Sequence, residues 1–330
     1  MLKVYIIKGN TGYDVSNSFE KIVWSGRKGA APRSCKLTLL DDDCVLEGVS
    51  YTRVPVDCEN GDFCVVYEND NELFRGMVIS HKQNRKKRLT ITAYDNAYSL
   101  ANNKDSFCFT NSTATQIFND IKRRLKLSGG TAVDTGYVIP ELPKAKTTPW
   151  DVLLDALSLT YTATGRRYYI SSSRGELNLL RRSENINQWV LEVGGNITDY
   201  EYTKSISGIK TRVRLLSKED AVVYEKVNSE LEKKIGMFAE VKSVDDDYNE
   251  AQMKELVQSV FAEKGTPSRS LKVSGIGITD SIAGGCVYVI IPHLGINRTF
   301  YIDEDTHTFN RHSHTMTLKL NFADDIDAAG

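Results

Sequence analysis

Three of the five histidines fall in one short stretch, Glu304–Leu320: His307, His312 and His314. Asp303 and Asp305 stand just before them. Imidazoles and carboxylates at this spacing are the donors of a zinc site or of general acid–base chemistry. On one strand, His312 and His314 would share a face, because side chains alternate with period two. His307 would then lie across the turn. Asp303 and Asp305 would also share a face, about 7 Å apart, within the separation used by inverting glycosidases. Against both readings, the segment Asn310–Ser313 has turn composition, which sends His312 into solvent. Alternating charge on a half-exposed strand also needs no chemical role. The expectation is no catalytic, cofactor-binding or metal-binding residue.

Other chemistry is weaker still. The six cysteines (Cys35, Cys44, Cys58, Cys64, Cys108 and Cys286) form no Cys-x-x-Cys pair, so a structural zinc site is not indicated. Cys58 and Cys64 would bridge only in an oxidising compartment. Reduced thiols and folding in a cytoplasm are expected. There is no Gly-x-Ser-x-Gly elbow and no Walker A motif. "GIGITD" at Gly275–Asp280 lacks the third glycine of a dinucleotide loop and opens no helix, so it reads as a turn. Basic clusters occur at 84–88, 122–126, 165–167 and 181–182, with Tyr168 and Tyr169 beside one of them. They read as a turn tip, a helix end and solvated strand faces rather than a nucleic-acid track.

The elements that position these residues are mostly strands. "CKLTLL" alternates, with Cys35, Leu37 and Leu39 on one face. "FCVVY", "LFRGMVIS" and "RLTITAY" follow, separated by Gly, Asn and Asp turns. The opening "MLKVYIIKGN" reads as a first strand, not a signal peptide. The middle of the chain changes character. Ser112 is expected to cap a helix through about Leu127. Thr148, Pro149 and Asp151 start a second, which Gly165 ends. "RYYISSSRGELNLL" reads as strand, turn and strand. A third helix is expected over Asp246–Lys264, with Met253, Leu256, Val257, Val260 and Phe261 as its apolar stripe.

A formal net charge of -1 over 330 residues gives no global field for nucleic acid. No apolar run approaches the length of a membrane span.

Two segments resemble each other. "GDFCVVYENDNELFRGMVISHKQNRKKRLTITAY" and "GGCVYVIIPHLGINRTFYIDEDTHTFNRHSHTMTLKL" each open on Gly and a Val-rich strand. The spacing Phe74 to His81 equals that of Phe300 to His307, and Trp24 to Leu40 equals Tyr200 to Leu216. The expected architecture is a β-rich α+β protein with two similar β-barrel modules. The boundaries are 1–99 for the first module, 100–195 for a small α+β unit and 196–330 for the second module. A helical insertion is placed at about 229–267 in the second module.

The segments "WSGRKGAAPRSCKLTLL", "TTPWDVLLDAL", "GRRYYISSSRGELNLLRR" and "YIDEDTHTFNRHSHTMTLKL" together resemble the baseplate hub proteins of contractile phage tails. These include hubs of defective prophages and phage-tail-like bacteriocins of Gram-positive bacteria. The resemblance implies a homotrimer whose two tail-tube-like barrels per chain build a pseudo-hexameric ring. Such a ring joins the six-fold tail tube protein to the three-fold central spike protein of a virion or bacteriocin particle assembled in the bacterial cytoplasm. Tape-measure and other baseplate proteins are further implied neighbours. It implies no membrane and no sequence-specific nucleic acid, with DNA passing at most through the lumen. No enzyme activity and no cofactor are expected. The rival readings are a β-rich cell-wall hydrolase or peptidase using Asp303, Asp305 and the histidines, and a sugar-binding module.

Overall fold

The computed structural model describes residues 2–40, 58–85, 88–127, 129–182, 186–245 and 248–322. Cys44, Lys86, Lys87, Asp246 and Asp247, singled out above, lie outside the described residues. Two compact units form, one drawn from 1–200 and 272–330, the other from 201–271.

In the larger unit the chain opens with β1 (Leu2–Lys8), β2 (Thr11–Asp14), β3 (Phe19–Arg27), β4 (Ala30–Leu40), β5 (Phe63–Glu68), β6 (Asn71–Gln83) and β7 (Arg88–Tyr94). Their alternation buries one face: Ile22 and Trp24 on β3, Cys35, Leu37 and Leu39 on β4, and Leu89, Ile91 and Ala93 on β7 share one core. Cys58 and Cys64 are buried and not joined by a disulfide.

A second core gathers α1 (Ala97–Asn102), β8 (Asp105–Thr113), α2 (Ala114–Arg124), β9 (Val138–Thr147), α3 (Pro149–Thr164), β10 (Tyr168–Ser173) and β11 (Glu176–Arg181). Helix α2 starts one residue later than expected. Thr113, not Ser112, accepts from the Gln116 N–H at 3.2 Å, and Gln116 returns a bond to the Thr113 N–H at 2.8 Å. Ser112 is still in β8, and its hydroxyl donates to the Thr110 carbonyl. At α3, Thr148 caps and Gly165 ends the helix in the left-handed region, as expected. The Asp151 carboxylate instead accepts from the Thr148 hydroxyl at 2.6 Å. The β10–β11 hairpin turns on Arg174 and Gly175, both at positive φ, which matches strand twist.

Then follow β12 (Ile186–Glu192) and β13 (Ile197–Ser205). The smaller unit holds β14 (Arg212–Leu216), β15 (Val222–Val227), α4 (Ser229–Ile235), β16 (Ala239–Ser243) and α5 (Glu250–Lys264). Its three strands form their own sheet, and Val213, Leu215, Val257 and Val260 form its core. The expected stripe of α5 thus faces this sheet. The helix begins at Glu250 because Asn249 and Gln252 make the capping box. Leu215 and Leu216, aligned above with Leu39 and Leu40, therefore sit in a separate sheet.

The chain closes with β17 (Ser268–Ile276), β18 (Cys286–Ile291), β19 (Ile296–Asn310) and β20 (Ser313–Asn321). The main sheet runs β13-β17-β20-β19-β3-β4-β7-β6-β5-β1-β2, and β18 bridges β19 to β12. Two series with the same order are visible: β3-β4-β7-β6-β5-β1 and β13-β17-β20-β19-β18-β12. Phe74 on β6 pairs with Val66, and Phe300 on β19 pairs with Val287. It is β17 that takes the place of β4. The two series differ in that β12 runs parallel to β18, whereas β1 runs antiparallel to β5.

Candidate functional site at the β3–β19 junction

Strand β19 joins the two series. Its first half pairs with β18, and Glu304–Asn310 is clamped between β20 and β3. His307 lies opposite Trp24 on β3 and Met316 on β20. The parity of the strand sends Asp305, His307 and Phe309 inward, and all three are buried.

The histidines separate into a pair and a singlet. His307 is fully buried, with its ring centroid 5.2 Å from that of Trp24. Its Nε2 stands 3.0 Å from the Ser281 carbonyl, which can only accept, so the neutral ring carries its proton there. Nδ1 then accepts from His314 Nε2 at 3.0 Å. The His314 ring stacks on Phe309 at 3.9 Å. Burial pushes His307 down to about 4, against the pull of Asp305 and the Ser281 carbonyl. His314 is lowered for the same first cause. Gly277 makes room for that ring, since a Cβ there would stand 2.1 Å from its Cδ2. His312 is exposed in the turn.

The carboxylates do not act as a pair. Asp305 is fully buried and takes a fork from Arg33: Nη1 to Oδ1 at 2.8 Å and Nη2 to Oδ2 at 2.6 Å. The Ala283 N–H donates to it at 2.6 Å. The Arg33 guanidinium lies 4.3 Å from the Trp24 ring centroid. Gly26 leaves space for it, because a Cβ there would stand 2.2 Å from Nη1. Asp303 sits at a bulge between Ile302 and Glu304 and meets Arg182 at 3.4 Å and Lys28 at 3.8 Å. Each carboxylate thus has its own cationic partner.

Asp95 anchors the neighbouring turn. It accepts from the Ala97 N–H at 2.9 Å and the Arg33 N–H at 3.2 Å. Burial raises it to about 6, outweighing these bonds and the Arg33 charge. A cleft of about 610 Å³ opens beside the junction, lined among others by Trp24, Arg33, Asp95, Trp150, Tyr169 and Asp280. Among the described residues, no three His, Cys, Asp or Glu side chains converge as a metal-binding group.

Arg33 and Arg182 were missed by sequence reasoning. Arg182 is not on a solvated strand face. It is 1% exposed, with its guanidinium 3.7 Å from the Tyr301 ring centroid. Lys122, from the supposed helix end, is also buried and donates to the Gly129 carbonyl. A signal for Arg33 was present: it shares parity with Cys35, Leu37 and Leu39, an arginine in register with a core face. His81 occupies the position of His307 but not its environment. It is exposed and bonded to the Asn60 side-chain oxygen at 3.0 Å.

Comparison with known proteins places this geometry in a family. A family model described as YQBQ-like matches residues 22–321, which include Trp24, Arg33, Asp305 and His307. The uncharacterized protein YqbQ of Bacillus subtilis (strain 168) is 33% identical over 325 residues, covering 97% of this chain and 96% of its own. The phage-like element PBSX protein XkdQ of the same organism is 33% identical over 327 residues, covering 97% of each. Among solved structures, the 43 kDa tail protein of prophage MuSo2 from Shewanella oneidensis aligns with a TM-score of 0.70. It does so over 98% of this chain and 99% of that one, at 15% identity, a likeness of fold. With a match over residues 22–321 and relatives 33% identical over nearly the whole chain, the chain belongs to the YQBQ-like family.

Proposed function

We propose that this chain is a structural protein of a phage-type tail, the baseplate hub that joins a six-fold tail tube to a three-fold central spike. Three copies, each with two tube-like modules, form a pseudo-hexameric ring. The modules are residues 1–99 and 196–330, the α+β unit 100–195 lies between them in sequence, and the insertion spans about 229–267. The observation that carries the reading is the repeated strand order around β19–β3. A hexamer above and a trimer below meet without mismatch when three chains offer six near-equivalent surfaces. The names of XkdQ, from a phage-like element, and of the MuSo2 tail protein support the same class. The ring is held in a tail baseplate, assembled in the bacterial cytoplasm, with tape-measure and other baseplate proteins as neighbours.

The reading includes no enzymatic role. It is supported by the separate neutralisation of Asp303 and Asp305 and by the engagement of both His307 nitrogens with protein groups. The test is co-expression with the tube and spike proteins of the same particle, followed by light scattering and electron microscopy. A three-chain ring bridging both partners is expected. A chain that stays monomeric with both partners present refutes the ring. Cell-wall cleavage on a zymogram that is lost in His314→Ala refutes the non-enzymatic role.

A further inference from the structure

Strands β10 and β11 stand outside the main sheet as a pair of their own. The far edge of β11 is covered by the segment at 131–133. The Leu179 N–H donates to the Thr131 carbonyl at 2.8 Å, and the Leu179 carbonyl accepts from the Val133 N–H at 3.0 Å. Among the described residues, no strand pairs with the far edge of β10. The hairpin fixes which groups lie on that edge. Ser173 and Glu176 flank the two-residue turn and close the ladder. At its other end the Arg182 N–H donates to the Arg167 carbonyl at 2.9 Å. Bonded pairs alternate along an antiparallel ladder, so Arg167, Tyr169, Ser171 and Ser173 turn their backbone groups towards β11. Tyr168, Ile170 and Ser172 turn theirs away from it. The cleft of about 610 Å³ beside the β3–β19 junction includes all six residues Tyr168–Ser173 in its wall. A cleft meeting only one face of a strand would touch every second residue, so this one runs along the β10 edge.

We propose that the β10 edge binds an extended peptide segment of a partner protein, which adds inside the cleft as a third strand. The N–H and C=O groups of Tyr168, Ile170 and Ser172 supply the bonds, and a second extended backbone is the ligand whose donors and acceptors match that repeat. At about 3.4 Å per residue the edge offers roughly 20 Å, a span for six or seven residues of peptide. The walls set which side chains the peptide carries. Tyr168 and Ile170 pack on the second core, and Trp150, Leu154 and Leu157 of α3 belong to the same cluster and line the cleft. Ser171 and Ser173 lie on the opposite face of the hairpin, opposite Asn178 and Glu176. An added strand continues both faces, so its residues alternate between apolar and polar. The mouth selects charge. The lining cations Arg27, Lys28 and Arg33 already meet Glu304, Asp303 and Asp305. Arg174, exposed on the turn beyond Ser173, lines the cleft with no ion pair among the described residues. An acidic residue at that end of the peptide complements it. The groove takes such a segment whether or not three copies close a ring.

The experiment presents the full-length chain to an array of synthetic heptapeptides with Val, Ile or Phe at alternate positions and Thr, Asp or Lys between them. Bound peptides should share an acidic residue at one end. With such a peptide in solution, hydrogen exchange resolved to single amides should slow at least tenfold at Ile170 and Ser172 and change little at Ser171 and Ser173. N-methylation of alternate peptide amides should weaken binding at least tenfold in one phase and far less in the other. Ser172→Pro removes an edge donor but no β10–β11 bond, and should weaken the same peptides at least tenfold. Arg174→Glu should change the preferred end residue from Asp to Lys. An array with no peptide above background overturns the proposal. So do equal effects of the two N-methylation phases on the unaltered chain, a readout that holds even if Ser172→Pro fails to fold. An unchanged end preference in Arg174→Glu overturns the role of that cation. None of these measurements involves tube or spike, so their failure leaves the ring reading standing.

Discussion

The Arg33–Asp305 pair gives the sharpest test of how β19 and β3 are held. Asp305 has no side-chain exposure, while Arg33 retains 13%. Removing the guanidinium by Arg33→Met leaves a sealed carboxylate with the Ala283 N–H as its remaining close donor at 2.6 Å and His307 Nε2 at 3.7 Å. Breaking a buried pair from one side costs about 3–5 kcal/mol, because the surviving charge has no compensation. Asp305→Asn is milder. The guanidinium keeps its place over Trp24 and part of its access to water, and the loss should be nearer one charged hydrogen bond, about 1.5–3 kcal/mol. The double variant Arg33→Met/Asp305→Leu leaves no orphaned charge and should be more stable than Arg33→Met alone. Urea unfolding followed by tryptophan fluorescence reads this directly, since Trp24, Trp150 and Trp189 all belong to the larger unit. Equal losses for the two single variants, or a double variant with the summed loss, would refute a sealed, mutually dependent pair.

Three further outcomes follow from the same geometry. His307 is held at about 4, below the 6.5 of a free imidazole, so in acid the unfolded chain binds a proton that the fold refuses. Stability should fall by about 3 kcal/mol as pH drops from 6.5 towards 4, and His307→Gln, which keeps a donor for the Ser281 carbonyl, should flatten that limb of the urea-midpoint profile. Asp95 has the opposite sign: held up to about 6, it stabilises the fold below about 3.8 and that contribution is lost as pH rises through 6. The destabilisation caused by Asp95→Asn should therefore be smaller at pH 8 than at pH 4.5, by about 2 kcal/mol, in the same assay. At the start of α2, Thr113→Ala should cost about 1 kcal/mol and Ser112→Ala close to none, measured by thermal melting, because the cap is Thr113.

The fold was legible where one face of a strand or helix was uniformly apolar. Cys35, Leu37 and Leu39, the stripe of α5 and the caps at Thr148 and Gly165 are local signals, and the local physics decided them. The shift from Ser112 to Thr113 came from a choice between adjacent hydroxyls that only the reach of Gln116 resolves. The pairing of Leu215–Leu216 with Leu39–Leu40 failed for a different reason. Two short alternating strands look alike in sequence, and what separates them is a partner sheet more than fifty residues further on, at β17. The junction was half legible. The sequence singled out His307 and Asp305, but it paired Asp305 with Asp303, which the bulge at Ile302/Glu304 sets apart, and the partners Arg33, Ser281 and Ala283 arrive from distant elements that no spacing encodes.

The β19–β3 junction closes within a single chain, where the two strands are tethered and the effective concentration of one for the other is high. It can hold polar groups that are satisfied only when everything is in place: Asp305 with Arg33, His307 with His314 and Ser281. Each makes a misaligned register costly, since a slip by one residue would turn these inward groups to the opposite face and strip them of partners. The corresponding histidine on β6, His81, is exposed and bonded to the Asn60 side-chain oxygen, so it places no such constraint on its strand. Of the duplicated strand pair, it is the copy at β19 whose register is written in buried hydrogen bonds.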